Sequence, residues 1–165
     1  MRIFIVSLAV VVIDQITKLV VKYTLHYNQP VEIIGNFVRL TYIENPGMAF
    51  GLRVANPTFL TIFASFASII IFIYIIRARH EKFFTRFALA LILGGAIGNL
   101  IDRFLYGQVV DFIDIGIRQA RWPVFNVADS AVSIGMIILV SVMLFDREKK
   151  AVEEEELSVK DQLSP

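Results

Sequence analysis

Residues 58–76 read TFLTIFASFASIIIFIYII, without one charged side chain and with polarity only from Thr58, Thr61, Ser65, Ser68 and the Tyr74 hydroxyl. A helix over this stretch is about 29 Å long at 1.5 Å per residue, close to the thickness of a bilayer's hydrocarbon layer. A helix in a soluble bundle carries a polar face on every turn; this stretch has none, so it reads as a membrane span. Three more windows share its character. Residues 3–21 are broken only by Ser7, Asp14, Gln15, Thr17 and Lys18. Residues 87–105 are interrupted by Asn99, Asp102 and Arg103, and residues 124–145 by Asn126 and Asp129. The fold class that follows is an all-α membrane protein with four transmembrane helices. It divides into a membrane domain over 1–146 and a polar, acidic tail over 147–165.

Composition agrees. Of 165 residues 56% are apolar and 19% charged, and 16 Lys+Arg against 15 Asp+Glu leave a net of +1. This excludes a disordered chain, and it excludes nucleic-acid binding by gross charge. With no cysteine there is no disulfide, thiolate metal site or cysteine nucleophile. The first window is expected to stay as a span and not be cleaved as a leader, because Asp14 and Lys18 fall where a leader's apolar region continues. Arg77, Arg79, Lys82 and Arg86 crowd the turn between spans two and three, Arg147, Lys149 and Lys150 follow span four, and Arg2 precedes span one. The positive-inside rule then sets both termini and the tail in the cytoplasm. Glu153 to Glu156 stand in a row in that tail, which reads as a solvated, disordered end with no chemical role.

The outer loop over 22–56 holds two β-rich runs, Val31–Ile34 and Phe37–Ile43, separated by Gly35-Asn36 and ending at the turn signal Asn45-Pro46-Gly47. It is expected to form a small extracytoplasmic sheet. The shorter loop over 106–123 carries Asp111, Asp114 and Trp122. Gly94, Gly95 and Gly98 have the small-residue spacing of close helix packing.

Topology sorts the polar residues by depth. Asp14 and Lys18 lie in the outer half of span one. Asn99, Asp102 and Arg103 lie in the outer half of span three, with Asp111 just past its end. Asn126 and Asp129 lie at the outer end of span four. Charges in lipid cost at least ~2.5 kcal/mol each and persist when paired or lining a wet site. Asp14 and Lys18, and Asn99 and Arg103, are spaced i,i+4 on shared helix faces; such pairs serve equally well to tie helices together. Asp111 and Asp129 have no cation within a turn of chain, and are the better functional candidates. Two carboxyl groups close together in a poorly hydrated site share a proton, which supplies a general base and a general acid at one point. That is aspartic-protease chemistry, and it needs no cofactor. His26 and His80 fall in opposite loops, Ser130 faces about 100° away from Asp129 on a helix, and a carboxylate-bound metal would usually recruit histidine. No metal is expected. Asp114 reads as a solvated loop acid. A proton-coupled transporter or a structural assembly factor are the rival readings; against the former, the inner thirds of all four windows are apolar.

Five motifs in order, interleaved with the spans, carry a resemblance. They are Asp14-Gln15 with Lys18; Asn45-Pro46-Gly47-Met48-Ala49-Phe50-Gly51; Gly98-Asn99-Leu100-Ile101-Asp102-Arg103; Val109-Val110-Asp111-Phe112; and Phe125-Asn126-Val127-Ala128-Asp129-Ser130. Over roughly residues 10–145 the chain resembles the lipoprotein signal peptidases, or signal peptidase II, a family of bacterial integral-membrane aspartic peptidases. The resemblance implies four helices with a small extracytoplasmic β element, in the bacterial cytoplasmic membrane with the active site toward its outer face. It implies Asp111 and Asp129 as the catalytic pair. Asp14, Lys18, Asn45, Gly47, Asn99, Arg103 and Asn126 then shape the site or contact substrate, and Asp102 supports structure. The implied substrate is a prolipoprotein already carrying diacylglycerol on a cysteine, cut just before that cysteine. Membrane lipid is the other partner, with no obligate protein partner, nucleic acid or cofactor. Arg103 and Lys18 are expected to pair with nearby carboxylates or carbonyls and hold the site open. Phe50 is a candidate for lining an acyl groove. Turn chemistry alone makes Asn45 structural; the motif gives it a further task.

Overall fold

The computed structural model describes residues 2–49, 52–53 and 57–162. The chain runs α1 (Phe4–Thr24), β1 (Pro30–Ile34), β2 (Val38–Asn45), β3 (Met48–Ala49), β4 (Leu52–Arg53), α2 (Pro57–Arg77), α3 (Phe83–Tyr106), β5 (Val109–Ile117), β6 (Ala120–Arg121) and α4 (Val127–Gln162). All four helices are long and apolar enough to cross a membrane. Helix α3 is the centre of the bundle: 56% of its span is buried, against 11–28% for the others. The uncharged stretch of α2 accordingly turns Phe59, Ile62, Phe63, Phe66 and Ile69 outward, which is favourable in lipid and not in water.

Glycines let the helices approach α3. A side chain at Gly94 would meet Ser7 O at 2.8 Å, one at Gly98 would meet Asp14 Oδ2 at 2.7 Å, and one at Gly95 would meet Ala128 O at 2.3 Å. Gly94 and Gly98 thus admit α1, and Gly95 admits the first turn of α4. The polar residues of α1 and α4 are brought to α3 by these contacts.

The sheet sits where α1 and α3 end and α4 begins. Its order is β1-β2-β5-β6, antiparallel throughout, beside a separate two-stranded β3-β4 hairpin. The α1–α2 and α3–α4 connections therefore build one sheet, where the sequence suggested a sheet in the first of them alone. The turn between β1 and β2 is made by Gly35, at φ +45°. Helix α3 stops at Gly107, which takes φ +72° and donates its N–H to Arg103 O. Beyond it Asp111 lies on the returning strand β5, not on a continuation of the helix. Phe125 pairs with Ile113 through two backbone hydrogen bonds, of 2.7 and 3.1 Å, and so seats the start of α4 beside β5.

One irregularity decides which side chains reach the site. Leu40 pairs with Ile113, but Ile43 pairs with Asp111, so β2 holds one residue more than β5 over this stretch. In a regular ladder Tyr42 and Glu44 would share the face of Asp111. The extra residue shifts the alternation, and Ile43 and Asn45 take that face instead. The opposite face packs Val110, Phe112 and Tyr42 against Val21 of α1.

The tail departs from expectation. Helix α4 runs on to Gln162 where a disordered end was expected; the segment 147–162 contains neither Gly nor Pro and is rich in Glu and Lys, both good helix formers.

Candidate active site

The site begins at the Lys18 ammonium. It lies 2.7 Å from Asp14 Oδ2, 3.0 Å from Asp102 Oδ2 and 2.9 Å from Asn99 Oδ1, so its three donors meet three acceptors. Lys18, Asp14 and Asp102 are 2%, 0% and 2% exposed. Asp14 also accepts the Ala128 N–H at 3.0 Å, and thereby caps the first turn of α4 from another helix. Asp102 accepts the Val110 N–H at 3.1 Å, which fixes the start of β5. Gln15, given no role of its own in the sequence, donates to Gly98 O at 3.1 Å and Asp102 Oδ1 at 3.0 Å. It ties α1 to α3. A polar side chain one residue from Asp14 inside an apolar window was the available signal for it.

Because Lys18 claims the oxygen of Asn99, the amide of Asn99 points the other way and donates to Asp129 Oδ1 at 2.7 Å. Asn126 stands just before α4. Its side-chain oxygen accepts the Asp129 N–H at 2.9 Å while Asp129 Oδ2 accepts the Asn126 N–H at 3.2 Å, a reciprocal capping arrangement. The Asn126 amide nitrogen donates to Asp111 Oδ1 at 2.7 Å and also lies 3.1 Å from Asn99 Oδ1 and 3.2 Å from Val110 O. One asparagine therefore holds both acids. Asn45 donates to Asp111 Oδ2 at 2.9 Å and accepts the Gly47 N–H at 3.0 Å, so it serves the turn and the carboxylate together. Gly47 takes φ +130°.

Asp111 is 2% exposed. Burial, and next the charge of Asp129, push its carboxyl up to about 7, against the opposing pull of the Asn45 and Asn126 donors. A carboxyl in that range holds a proton for part of the time near neutral pH. With Asp129 beside it, the site can supply an acid and a base at once.

Asp14, Lys18, Asn45, Asn99, Asp102, Asp111, Asn126 and Asp129 are thus joined in one hydrogen-bonded group contributed by α1, β2, α3, β5 and α4. Two expectations are corrected. Arg103 is half-buried and feels the charges of Asp129, Asp111 and Asp102, but among the described residues it makes no ion pair within 4.0 Å; Lys18 has taken Asp102 from below. Asp114 is not a solvated acid. It is 5% exposed and accepts from Thr41 Oγ1 at 2.9 Å and Arg121 Nε at 2.5 Å. Three residues along a strand reverse the side-chain direction, so Asp114 leaves the face of Asp111. Neither Thr41 nor Arg121 was singled out in the sequence. Ser130 spends its hydroxyl on Asn126 O at 2.9 Å. Phe50 and Gly51 lie outside the described residues.

Comparisons with known proteins bear on the family and the fold. Residues 6–145 match the family model described as signal peptidase (SPase) II. The chain is 41% identical over 152 residues to a lipoprotein signal peptidase of Desulforapulum autotrophicum, covering 88% of this chain and 93% of that one. It is 42% identical over 142 residues to one of Moorella thermoacetica, covering 84% and 90%. A solved bacterial membrane enzyme, 35% identical, superposes with a TM-score of 0.78 over 90% of this chain and 91% of its own.

Proposed function

Since this chain belongs to the signal peptidase II family and is a membrane peptidase, we propose that it removes signal peptides from diacylglyceryl-modified prolipoproteins with Asp111 and Asp129 as its catalytic pair. The observation that carries this is Asn126, which donates to Asp111 through its side chain and to Asp129 through its backbone, at 2.7 and 3.2 Å. Each carboxyl of this pair is oriented by amides and, among the described residues, neither by a cation in contact, so one proton can be shared between them.

The scissile carbonyl sits between the two acids. The ionised aspartate takes a proton from water as the water oxygen attacks the carbonyl carbon, and the protonated aspartate gives its proton to the carbonyl oxygen. The tetrahedral diol then collapses. The C–N bond breaks, the first aspartate passes its new proton to the leaving amine of the lipidated cysteine, and the second recovers a proton from a diol hydroxyl. The products are the signal peptide's carboxylate and the free amino terminus of the lipoprotein, and the pair ends as it began. Which acid starts ionised belongs to the pair and not to either residue. Arg103, without an ion pair of its own among the described residues, is suited to a substrate carbonyl.

The membrane orientation is part of the same reading. Arg77, Arg79, Lys82 and Arg86 lie at the end of the bundle away from the sheet, which suits the cytoplasmic side. Exposed Tyr23, Tyr106 and Trp122 gather at the sheet end, where aromatic side chains suit an interface. The sheet and the acid pair then face outward, where water reaches them and the substrate's lipid stays in the bilayer. A transporter needs a polar path between the two faces, and the family supports a peptidase instead.

The decisive measurement is cleavage of a diacylglyceryl prolipoprotein by purified enzyme and by Asp129→Asn. The variant is expected to lose turnover by about 10²–10⁴-fold, while a chelator leaves the parent enzyme unchanged. Near-normal turnover in the variant, or activity lost to chelator and restored by a divalent metal, would overturn the pair.

A further inference from the structure

Behind the acid pair lies a second polar group. Glu44 is the penultimate residue of β2. Its Oε1 accepts the Tyr42 hydroxyl at 2.6 Å and lies 4.0 Å from the Lys22 ammonium of α1, and its Oε2 accepts from Gln108, which joins α3 to β5. Lys22 also sits 4.0 Å from the centre of the Tyr106 ring, a cation–π contact with the last turn of α3. Burial, and next its bond to Glu44, push the Tyr42 hydroxyl up to about 12, so it remains a donor across the working range. Side chains from α1, β2 and the α3–β5 junction therefore converge on one carboxylate. The peptidase chemistry above uses none of these side chains.

Their place in the sheet gives them a task. Glu44 and Asn45 are neighbours and point to opposite faces of β2. On the front face Asn45 reaches Asp111, diagonally from the Ile43–Asp111 pair. On the back face Glu44 is fastened to α1 and to the α3–β5 junction. Past Asn45 the chain leaves the ladder at Pro46-Gly47, so Glu44 is the last side chain before that turn to anchor the back of the strand. The extra residue in β2 makes this anchorage consequential: the register that turns Asn45 toward Asp111 is one residue away from the one that would turn Glu44 there. We propose that Glu44 is a positioning residue, whose clasp on Lys22, Tyr42 and Gln108 holds the end of β2 in the register that keeps Asn45 on Asp111.

The proposal rests on Asp111 being catalytic and predicts how its proton responds. The groups that face Asp111 are Asp129 and Asn126 at the start of α4, Lys18 from α1, Arg103 from α3 and Asn45 from β2. Of these only Asn45 belongs to β2. Its donor favours the ionised carboxyl, so loosening the strand removes that help and moves the alkaline limb of the pH–rate profile upward.

The test is steady-state cleavage of diacylglyceryl prolipoprotein across pH by the parent enzyme, Glu44→Ala, Glu44→Gln, Asn45→Ala and the Glu44→Ala/Asn45→Ala double variant, with thermal unfolding in detergent as the folding control. Glu44→Ala is expected to lower kcat about 5–10-fold with KM within about twofold, and to move the alkaline limb up by about half a pH unit. Glu44→Gln keeps acceptors for Tyr42 and Gln108 and recovers most of kcat. The double variant falls no further than Asn45→Ala, because both changes act through one bond. If Glu44→Ala fails to fold, Gln108→Ala and Lys22→Met remove single arms of the clasp and are read by the same limb shift. An unshifted limb, or losses that add in the double variant, would overturn the clasp. Asp111→Asn separates the two readings: turnover in that variant removes the acid pair itself, whereas a dead Asp111→Asn beside an unaffected Glu44→Ala removes the clasp alone.

Discussion

The molecule holds two pairs of carboxylates within one hydrogen-bonded group, and they are treated differently. Asp14 and Asp102 close on one ammonium, at 2.7 and 3.0 Å from Lys18. Asp111 and Asp129 close on one asparagine, Asn126, with Asn45 and Asn99 completing their shells. Burial alone does not separate them: Asp102 and Asp111 are each 2% exposed, although Asp129 is only half-buried. The partner does. The Lys18 ammonium joins Asp14 to Asp102, and their other lone pairs go to cross-links between α1, α3, β5 and α4. Amides orient a carboxylate without a neutralising contact, and on the proposed reading this leaves the second pair able to share one proton for hydrolysis. The Lys18 group also orients the second pair, since the oxygen of Asn99 faces Lys18 and its nitrogen faces Asp129.

The contrast is broken most directly by exchanging the consequences. Asp111→Asn and Asp129→Asn should each lose about 10²–10⁴-fold in turnover with the protein still inserted and folded in detergent. Asp102→Asn should instead lose stability first, because Lys18 and the Val110 N–H both lose a charged acceptor. If Asp102→Asn retains its melting temperature while its turnover collapses like that of Asp129→Asn, the division of labour is wrong. Lys18→Met takes the next largest effect. It leaves Asp14 and Asp102 as uncompensated buried charges, an arrangement that costs about 3–5 kcal/mol. Its yield in membranes and its unfolding temperature should fall together, and a variant that unfolds like the parent would show the Lys18 group to be dispensable.

A smaller effect tests how the two groups are brought together. A methyl at Gly95 would stand 2.3 Å from Ala128 O and 2.8 Å from Val132 Cγ2. Helix α4 must then back away from α3, at about 1–3 kcal/mol. Ala128 donates to Asp14 and adjoins Asp129, so Gly95→Ala should strain both pairs. Turnover should drop further than its unfolding temperature suggests; activity that tracks stability alone would mean that α4 re-seats without moving Asp129.

Much of this arrangement is legible in the sequence. An uncharged stretch such as 58–76 has few solutions other than a span, and polar residues inside apolar windows stand out because each is costly there. That is why Asp14, Lys18, Asn99, Asp102, Asn126 and Asp129 could be found singly. What they bond to was less legible. Asp114 was read as solvated because its partners Thr41 and Arg121 reach it only through the pairing of two distant loops. Arg103 was expected to pair because acids lie nearby in sequence, but Lys18, from another helix, already occupies Asp102. The additional residue in β2 that turns Asn45 inward leaves no mark in local composition; register is a property of two strands and appears only when both are in place. The helical end of α4 was obscured by its charge, since a row of glutamates suggests solvation and says little about backbone conformation.

The smallest expected effect is the most particular to the second pair. Asp111 is raised to about 7 by burial and by Asp129, above the ordinary carboxylate range that it would have in an unfolded chain. The folded state therefore binds its proton more tightly than the unfolded state does. Its contribution to stability is fully present below the ordinary carboxylate pKa, and it declines as pH rises toward and through 7. Between pH 5 and 8 the parent enzyme should lose about 1–2 kcal/mol on this account, less than the shift taken alone implies because Asp129 shares the proton. Asp111→Asn cannot titrate at this position, so the fall should be shallower in that variant even if its stability at pH 5 differs from the parent's. Unfolding temperatures of the two proteins in one detergent, across that pH range, measure the difference in slope. Parallel curves would mean that Asp111 ionises in the folded protein as it does in water, and the distinction between a carboxylate held by amides and one held by an ammonium would then lose its thermodynamic content.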